Sequence, residues 1–290
     1  MPEVKLYKMS GAGNDFVVLD GRGVDAGAFR QPERISSLCE EYRTDGLMIL
    51  GSGSHTDFSM EFYNPDGSGG MMCGNGGRCI VAFADWLGIK ASVPDRYCFL
   101  APDGIHSAEI LSRPKNYRET GPDSSTQWTI RLKMIDVKGI SEMMGGYFLN
   151  SGTRHFVKFV GSVDAVDVEK EGKALRWNGA FAPEGANVNF VEVCPDGLLK
   201  VRTFEKGVEG ETLACGTGLT ASALAAYRRR SFAAGGSFAA FGMTERETGM
   251  TDRVTIRLQA RRGDYLQVDF VPGEDGSFRD IHLTGPAEFC

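Results

Sequence analysis

Two cysteines in this chain sit where a thiol can move protons. Cys73-Gly74-Asn75-Gly76 and Cys215-Gly216-Thr217-Gly218 share one pattern. Each opens a segment that reads as a helix, over about 75–87 (NGGRCIVAFADWL) and about 217–230 (TGLTASALAAYRRR). A group at a helix N-terminus lies among backbone N–H donors that lack intrahelical partners, and beside roughly half a positive charge. Both effects favour a thiolate and bring a thiol down from about 8.5 toward neutrality. The glycines keep side chains away, so those N–H groups stay open to an anion such as a carboxylate. Each quartet therefore offers a candidate acid/base next to a carboxylate cradle.

Placed on both sides of one carboxylate-bearing carbon, that device suits inversion. One thiolate takes the α-proton from one face and the other thiol returns a proton to the opposite face. The helix N-termini stabilise the charge that develops on the carboxylate. Other thiol chemistry fits less well. Cys73-x5-Cys79 is not the paired spacing of a zinc site, and no C-x-x-C redox pair occurs. The glycine-rich patches are not phosphate loops: G-x4-G-K-[ST] is missing, and GAGNDF leads into a strand. No lysine signature for pyridoxal phosphate is evident, so the expectation is a protein that works without cofactor or metal. Cys79, inside the first helix, reads as packing, and Cys39, Cys98, Cys194 and Cys290 as small packed hydrophobes.

The elements that must hold these residues are mostly strands. Apolar and polar residues alternate through KLYKM, FVVLD, FSMEFY, WTIRLKM, HFVKFV, VNFVEV, LLKVRTF, VTIRLQA and YLQVDF. Shorter helical pieces are expected near 32–42 and 164–173. The chain also repeats itself. Cys73 and Cys215 lie 142 positions apart, as do Phe62 and Phe204, while Phe16 and Phe156 lie 140 apart in SGAGNDFVVL and SGTRHFVKF. Landmarks in register point to an internal duplication. It predicts two pseudo-symmetric domains and a cleft between them, with like positions facing each other.

Composition agrees with that size and narrows the partners. The 290 residues suit one large domain or two ordinary ones. Glycine, at 38 residues, is nearly twice its usual share, which marks tight turns and close backbone approaches. A net charge of −6 argues against a nucleic-acid partner. The run Arg228–Arg229–Arg230 suits the solvated end of a helix. No apolar run reaches the ~18 residues of a membrane span, and the first residues show no secretory pattern. Seven cysteines without an export signal are expected to be free thiols in the cytoplasm.

At these residues the sequence resembles the diaminopimelate epimerase family. The matching motifs are KMSGAGNDFVVLD (8–20), FYNPDGSGGMMCGNGGRC (62–79), GANVNFVEV (185–193), FEKGVEGETLACGTG (204–218) and LTGPAE (283–288). The resemblance implies a cofactor-independent epimerase that interconverts LL- and meso-2,6-diaminopimelate, in lysine and peptidoglycan precursor biosynthesis. It implies an α+β fold of two pseudo-symmetric domains, each a curved, mostly antiparallel sheet wrapped around a central helix. The expected domains are 1–125 with about 277–290, and 126–276. Cys73 and Cys215 would be the acid/base pair. Gly74, Asn75, Gly76, Gly216 and Thr217 would hold the α-carboxylate, and Asn14, Asn64 and Asn187 would contact substrate. Glu205 would lie near the α-amino group, and His155 would support the thiols. The partner is a small amino acid with two carboxylates; family members are often homodimers, and the sequence leaves the oligomeric state open.

Three departures stand out. The family usually has arginine where this chain has Lys206, and a lysine offers the distal carboxylate a point charge in place of a planar fork. The family's glycine-rich loop is shorter here, reading Tyr42-Arg43-Thr44-Asp45-Gly46-Leu47. The segment Ser151-Gly152-Thr153-Arg154-His155 lacks the usual Asn or Pro beside its histidine, which leaves Thr153 as a candidate contact. These departures keep open a racemase of the same fold with another substrate, which solvent exchange into a panel of amino acids would identify. A non-catalytic amino-acid-binding protein would bind ligand without exchange at the α-carbon. A thiol sensor would carry stoichiometric metal.

Overall fold

Strands dominate the chain because alternation gives each a buried and an exposed face. The computed structural model describes residues 4–70, 72–115, 117, 127–233 and 253–290. They divide into two units, Met1–Leu132 with Thr284–Cys290, and Lys133–Leu283. The first boundary lies beyond residue 125 because the strand Gln127–Lys133 pairs with the strand before it.

In the first unit the strands are β1 (Leu6–Gly11), β2 (Asn14–Asp20), β3 (Leu47–Ser52), β4 (Phe58–Tyr63), β5 (Arg96–Ala101), β6 (Gly104–Ser112) and β7 (Gln127–Lys133). They pair in that order. The end of β16 (Phe278–Phe289) pairs with β7 through Gly285↔Ile130 and with β1 through Met9↔Phe289. The strands thus close into a ring. Two pairings, β2 with β3 and β4 with β5, are parallel. Parallel neighbours need crossover connections, here α1 (Pro32–Tyr42) and α2 (Gly74–Trp86). Every residue of α2 from Gly74 to Asp85 is buried, and the helix packs against β1, β2, β3 and β6. Helix α1 lies over a separate cluster of Val17, Leu19, Ile35, Leu38, Leu47 and Ile49.

The second unit contains β8 (Ser141–Met143), β9 (Gly146–Asn150), β10 (Arg154–Phe159), β11 (Asn187–Val193), β12 (Leu199–Glu205), β13 (Gly210–Thr212), β14 (Val254–Gln259) and β15 (Tyr265–Pro272). The first half of β16 pairs beside β15. Its parallel pairs are β10 with β11 and β12 with β14. Their crossovers hold α3 (Val168–Arg176) and α4 (Gly216–Ala233). Helix α4 packs against β9, β10, β11, β12, β14 and β15, and α3 covers a cluster built on Phe156, Val168, Phe181 and Phe204.

From β1 to β6 the pairings run antiparallel, parallel, antiparallel, parallel, antiparallel, and β9 to β15 repeat that series with β13 set aside. The architecture is α+β, with a mostly antiparallel sheet around one helix in each unit. In both units the inner helix begins right after the cysteine of a Cys-Gly-x-Gly quartet. Among the described residues, no helix is long and apolar enough to cross a membrane.

Polar groups on the buried helix α2 are satisfied internally, as burial demands. Asp85 accepts from the indole Nε1 of Trp128 at 3.0 Å, from Arg113 Nε at 3.0 Å and from the Tyr97 hydroxyl at 3.4 Å. The cysteines divide differently from expectation. Cys39 and Cys79 are buried, but Cys98 and Cys194 are only half-buried and Cys290 is exposed. These last three are not core residues. Burial pushes the Cys79 thiol well above its usual range, which suits a packing role.

Candidate active site

Cys73 is the N-cap of α2, with extended backbone (φ −96°, ψ 147°), and its Sγ accepts the N–H of Gly76 at 3.1 Å. A hydrogen bond of this kind favours the anionic sulfur. The hairpin between β1 and β2 reaches the same helix end. Ala12 and Gly13 both have positive φ (57° and 101°), as a tight two-residue turn requires. A side chain at Gly11 would place Cβ 2.7 Å from the Asn75 carbonyl oxygen, so only glycine lets this hairpin touch the first turn of α2. That approach brings Asn14 to Asn75, whose Nδ2 donates to Asn14 Oδ1.

Two neighbours that sequence reasoning missed hold this pair. Asp45 Oδ2 accepts from Asn14 Nδ2 at 3.2 Å and from the Asp15 N–H at 2.9 Å. The short loop after α1 therefore serves to orient Asn14. Arg78, fully buried, donates to Asn75 Oδ1 at 3.0 Å, to the Gly74 carbonyl at 3.1 Å and to the Pro286 carbonyl at 3.1 Å. Asn64 is placed otherwise. Its Nδ2 donates to Ser68 Oγ at 3.0 Å and its backbone closes the 64–68 turn, the ordinary work of an asparagine in a loop.

In the second unit, Cys215 is buried just before α4. Its Sγ lies 3.5 Å from Thr217 Oγ1. The Thr217 hydroxyl is in turn 2.9 Å from His155 Nε2, and Thr153 Oγ1 lies 2.9 Å from the same nitrogen. Asn187 Nδ2 donates to Thr153 Oγ1 at 3.0 Å, while Asn187 Oδ1 accepts the Lys206 N–H at 2.7 Å. Cys215, Thr217, His155, Thr153 and Asn187 are thus one hydrogen-bonded group. Glu205 accepts from Thr212 Oγ1 at 2.9 Å, and the Lys206 side chain is exposed.

Asn189 was also missed. It is fully buried, and its Nδ2 lies 2.9 Å from His155 Nδ1. The signal was the spacing in Asn187-Val188-Asn189: residues two apart on a strand share a face, and β11 pairs with β10 so that His155 lies opposite Asn187. A Cβ on Gly218 would come 2.3 Å from Asn189 Oδ1. Glycine at the end of the second quartet therefore makes room for this amide.

Burial pushes His155 down to about 3 from its usual 6.5, so the ring is neutral. In the unfolded chain it takes a proton below about 6.5, whereas the folded chain refuses one until about pH 3. The unfolded state thus binds more protons across that window, and stability falls as pH drops through it. Denaturant titrations at pH 7 and pH 5 are expected to differ by about 1–2 kcal/mol from this group. A His155→Gln variant should show a correspondingly smaller loss, and an unchanged loss would contradict the assignment.

Comparison with known proteins follows the same residues. A sequence model of the diaminopimelate epimerase family matches residues 6–118 and 147–264. A diaminopimelate epimerase of Flavobacterium psychrophilum is 36% identical over 289 residues, spanning 99% of this chain and 98% of its own. One from Aquifex aeolicus is 34% identical over 295 residues, spanning 97% and 94%. In fold the chain is similar to a PhzF-family phenazine biosynthesis protein of Bacillus anthracis, with TM-score 0.69, 12% identity and coverage of 100% and 97%. A probable proline racemase of Agrobacterium radiobacter K84 is similar too, with TM-score 0.62, 16% identity and coverage of 98% and 90%. With the match running through both cysteine-led helices and nearly the whole length, the chain belongs to the diaminopimelate epimerase family.

Proposed function

We propose that this chain interconverts LL- and meso-2,6-diaminopimelate by moving the α-proton between two thiols. The observation that carries the reading is the match of nearly the full chain to relatives bearing that name. Cys73 and Cys215 are the acid/base pair. In each direction one sulfur begins as thiolate and removes the proton, while the other begins as thiol and delivers one to the opposite face. The backbone N–H groups of Gly74 and Asn75, with those of Gly216 and Thr217, hold the α-carboxylate and stabilise charge as the carbanion forms. Gly76, whose N–H is given to Cys73 Sγ, keeps this cradle open by lacking a side chain. Asn14 and Asn187, both fixed by neighbours, present their remaining polar capacity to the substrate. Asn64 shapes the 64–68 turn and contacts it from there. Glu205 takes the α-amino group, Lys206 attracts the distal carboxylate, and His155 supports the Cys215 side. The reaction uses no cofactor and serves lysine biosynthesis in the cytoplasm, where free thiols stay reduced.

The test is solvent exchange. In D2O, either diaminopimelate isomer should gain deuterium at the α-carbon and convert to the other. Absence of both exchange and conversion with both isomers would refute the reading. Activity should be bell-shaped in pH, because one sulfur must be ionised while its partner is protonated. A second reading is favoured by Lys206, whose ammonium lacks the planar grip of a guanidinium: a racemase for another amino acid. Exchange into monocarboxylic amino acids faster than into diaminopimelate would establish it.

A further inference from the structure

Behind Cys215 the second unit holds a chain of side chains whose last members, Asn189 and Thr203, the proposed reaction does not call upon. Its far end is the Thr203 hydroxyl, fully enclosed on β12, which donates to Asn189 Oδ1 at 2.9 Å. That contact fixes the amide. With Oδ1 committed to Thr203, Nδ2 faces both His155 Nδ1 at 2.9 Å and the Phe156 carbonyl oxygen at 3.4 Å. A carbonyl oxygen accepts only, so the amide nitrogen belongs on that side. Since Nδ2 can only donate, His155 Nδ1 must accept, and the ring proton lies on Nε2.

The consequence runs forward to the sulfur. An Nε2–H has two acceptors at 2.9 Å, the hydroxyls of Thr217 and Thr153. Thr153 Oγ1 also accepts from Asn187, and lies 3.3 Å from Thr217 Oγ1. Both branches, one through Asn189 and His155, the other through Asn187 and Thr153, lead to the Thr217 hydroxyl. Supplied with donors, its oxygen has its own hydrogen left to give, and Cys215 Sγ is 3.5 Å away. A hydrogen bond given to sulfur stabilises the thiolate more than the thiol.

We propose that Asn189 is a positioning residue: by holding His155 in the tautomer with hydrogen on Nε2, it aims the Thr217 hydroxyl at Cys215 and favours the ionised sulfur. Reversal of the histidine tautomer would remove the donor from Nε2 and turn that nitrogen into a competitor for the same hydroxyl hydrogen. The neutral ring is then no proton carrier. It is a fixed link, kept in one orientation by an amide whose own orientation is set by Thr203. The inference rests on the reading of Cys215 as an acid/base, but two of its tests do not need turnover.

The first test is the ring-nitrogen NMR of uniformly 15N-labelled protein at pH 7, with His155 identified by its loss in His155→Gln. A protonated Nε2 and bare Nδ1 are expected; a hydrogen on Nδ1, or on both nitrogens, overturns the proposal. The second is the alkylation rate of Cys215 by iodoacetamide at pH 7, followed by peptide mass spectrometry. Asn189→Leu should slow it about five- to tenfold through a smaller thiolate fraction, and Thr203→Val, which spares the amide, should slow it less. Equal rates in wild type and both variants overturn it. Kinetics complete the set: kcat should fall at least tenfold in Asn189→Leu with KM changed less than about threefold. Should Asn189→Leu fail to fold, Thr203→Val carries the same comparison. If diaminopimelate proves not to be turned over, the spectra and alkylation rates still decide the role of Asn189.

Discussion

Replacing Cys73 or Cys215 by alanine should lower epimerisation by about 10²–10⁴-fold in both directions, the usual worth of a positioned acid or base. In the proposed reaction each thiol acts as base in one direction and acid in the other, so neither single variant should keep one direction intact. Cys73 also caps α2, and loss of a capping acceptor costs about 1 kcal/mol. A companion Cys73→Ser separates the two effects. It retains an oxygen for the Gly76 N–H, and hence stability, but a hydroxyl is not ionised near neutral pH. Expected results are a near-normal denaturation midpoint for Cys73→Ser with activity still lost. Wild-type turnover in either alanine variant would refute two-base catalysis.

The largest effect on stability is expected at Asp85, far along α2 from the thiol. Its buried carboxylate takes hydrogen bonds from the buried Trp128 and Tyr97 and from the partly exposed Arg113. Asp85→Ala strands the buried indole N–H without an acceptor, while Arg113 keeps Asp95 at 2.6 Å, and the loss is about 1–3 kcal/mol. Asp85→Asn keeps one oxygen and should lie between wild type and alanine. Urea denaturation of the three proteins measures this. A shift below about 1 kcal/mol for Asp85→Ala would show that the network contributes little.

Much of this was legible in the amino-acid order because it is local. The paired quartets, the glycine at the start of each inner helix and the period-two strands depend on neighbours within a few residues. The inner helices run Gly74–Trp86 and Gly216–Ala233, within a few residues of their expected bounds. Strand β3 escaped because Leu47, Met48, Ile49 and Leu50 are all buried, and a strand covered on both faces does not alternate. Strand β16 is absent from the alternating runs because Gly285 and Pro286 break the pattern, yet they sit in register against Ile130 and Thr129.

The residues that orient the site were less legible, since they matter only through pairing across long stretches of chain. Asp45 gains its role by meeting Asn14, 31 residues earlier. Asn189 reaches His155 from 34 residues away. Arg78 looks like a surface residue in GNGGRC, yet it binds the Pro286 carbonyl 208 residues later. Asn64 is the reverse case: its motif suggests a ligand contact, while the hydrogen bonds it makes within the chain are those of the 64–68 turn.

The strand segment that seals the first ring follows the whole second unit in chain order. On the ribosome, residues 133–283 therefore emerge in full before β1 and β7 receive their last partner. The usual vectorial order, in which the earlier domain matures first, is reversed for completion. Until Thr284–Cys290 arrive, the edges of β1 and β7 are open to wrong partners, so a nascent chain halted just after residue 283 should be the species that most needs a chaperone.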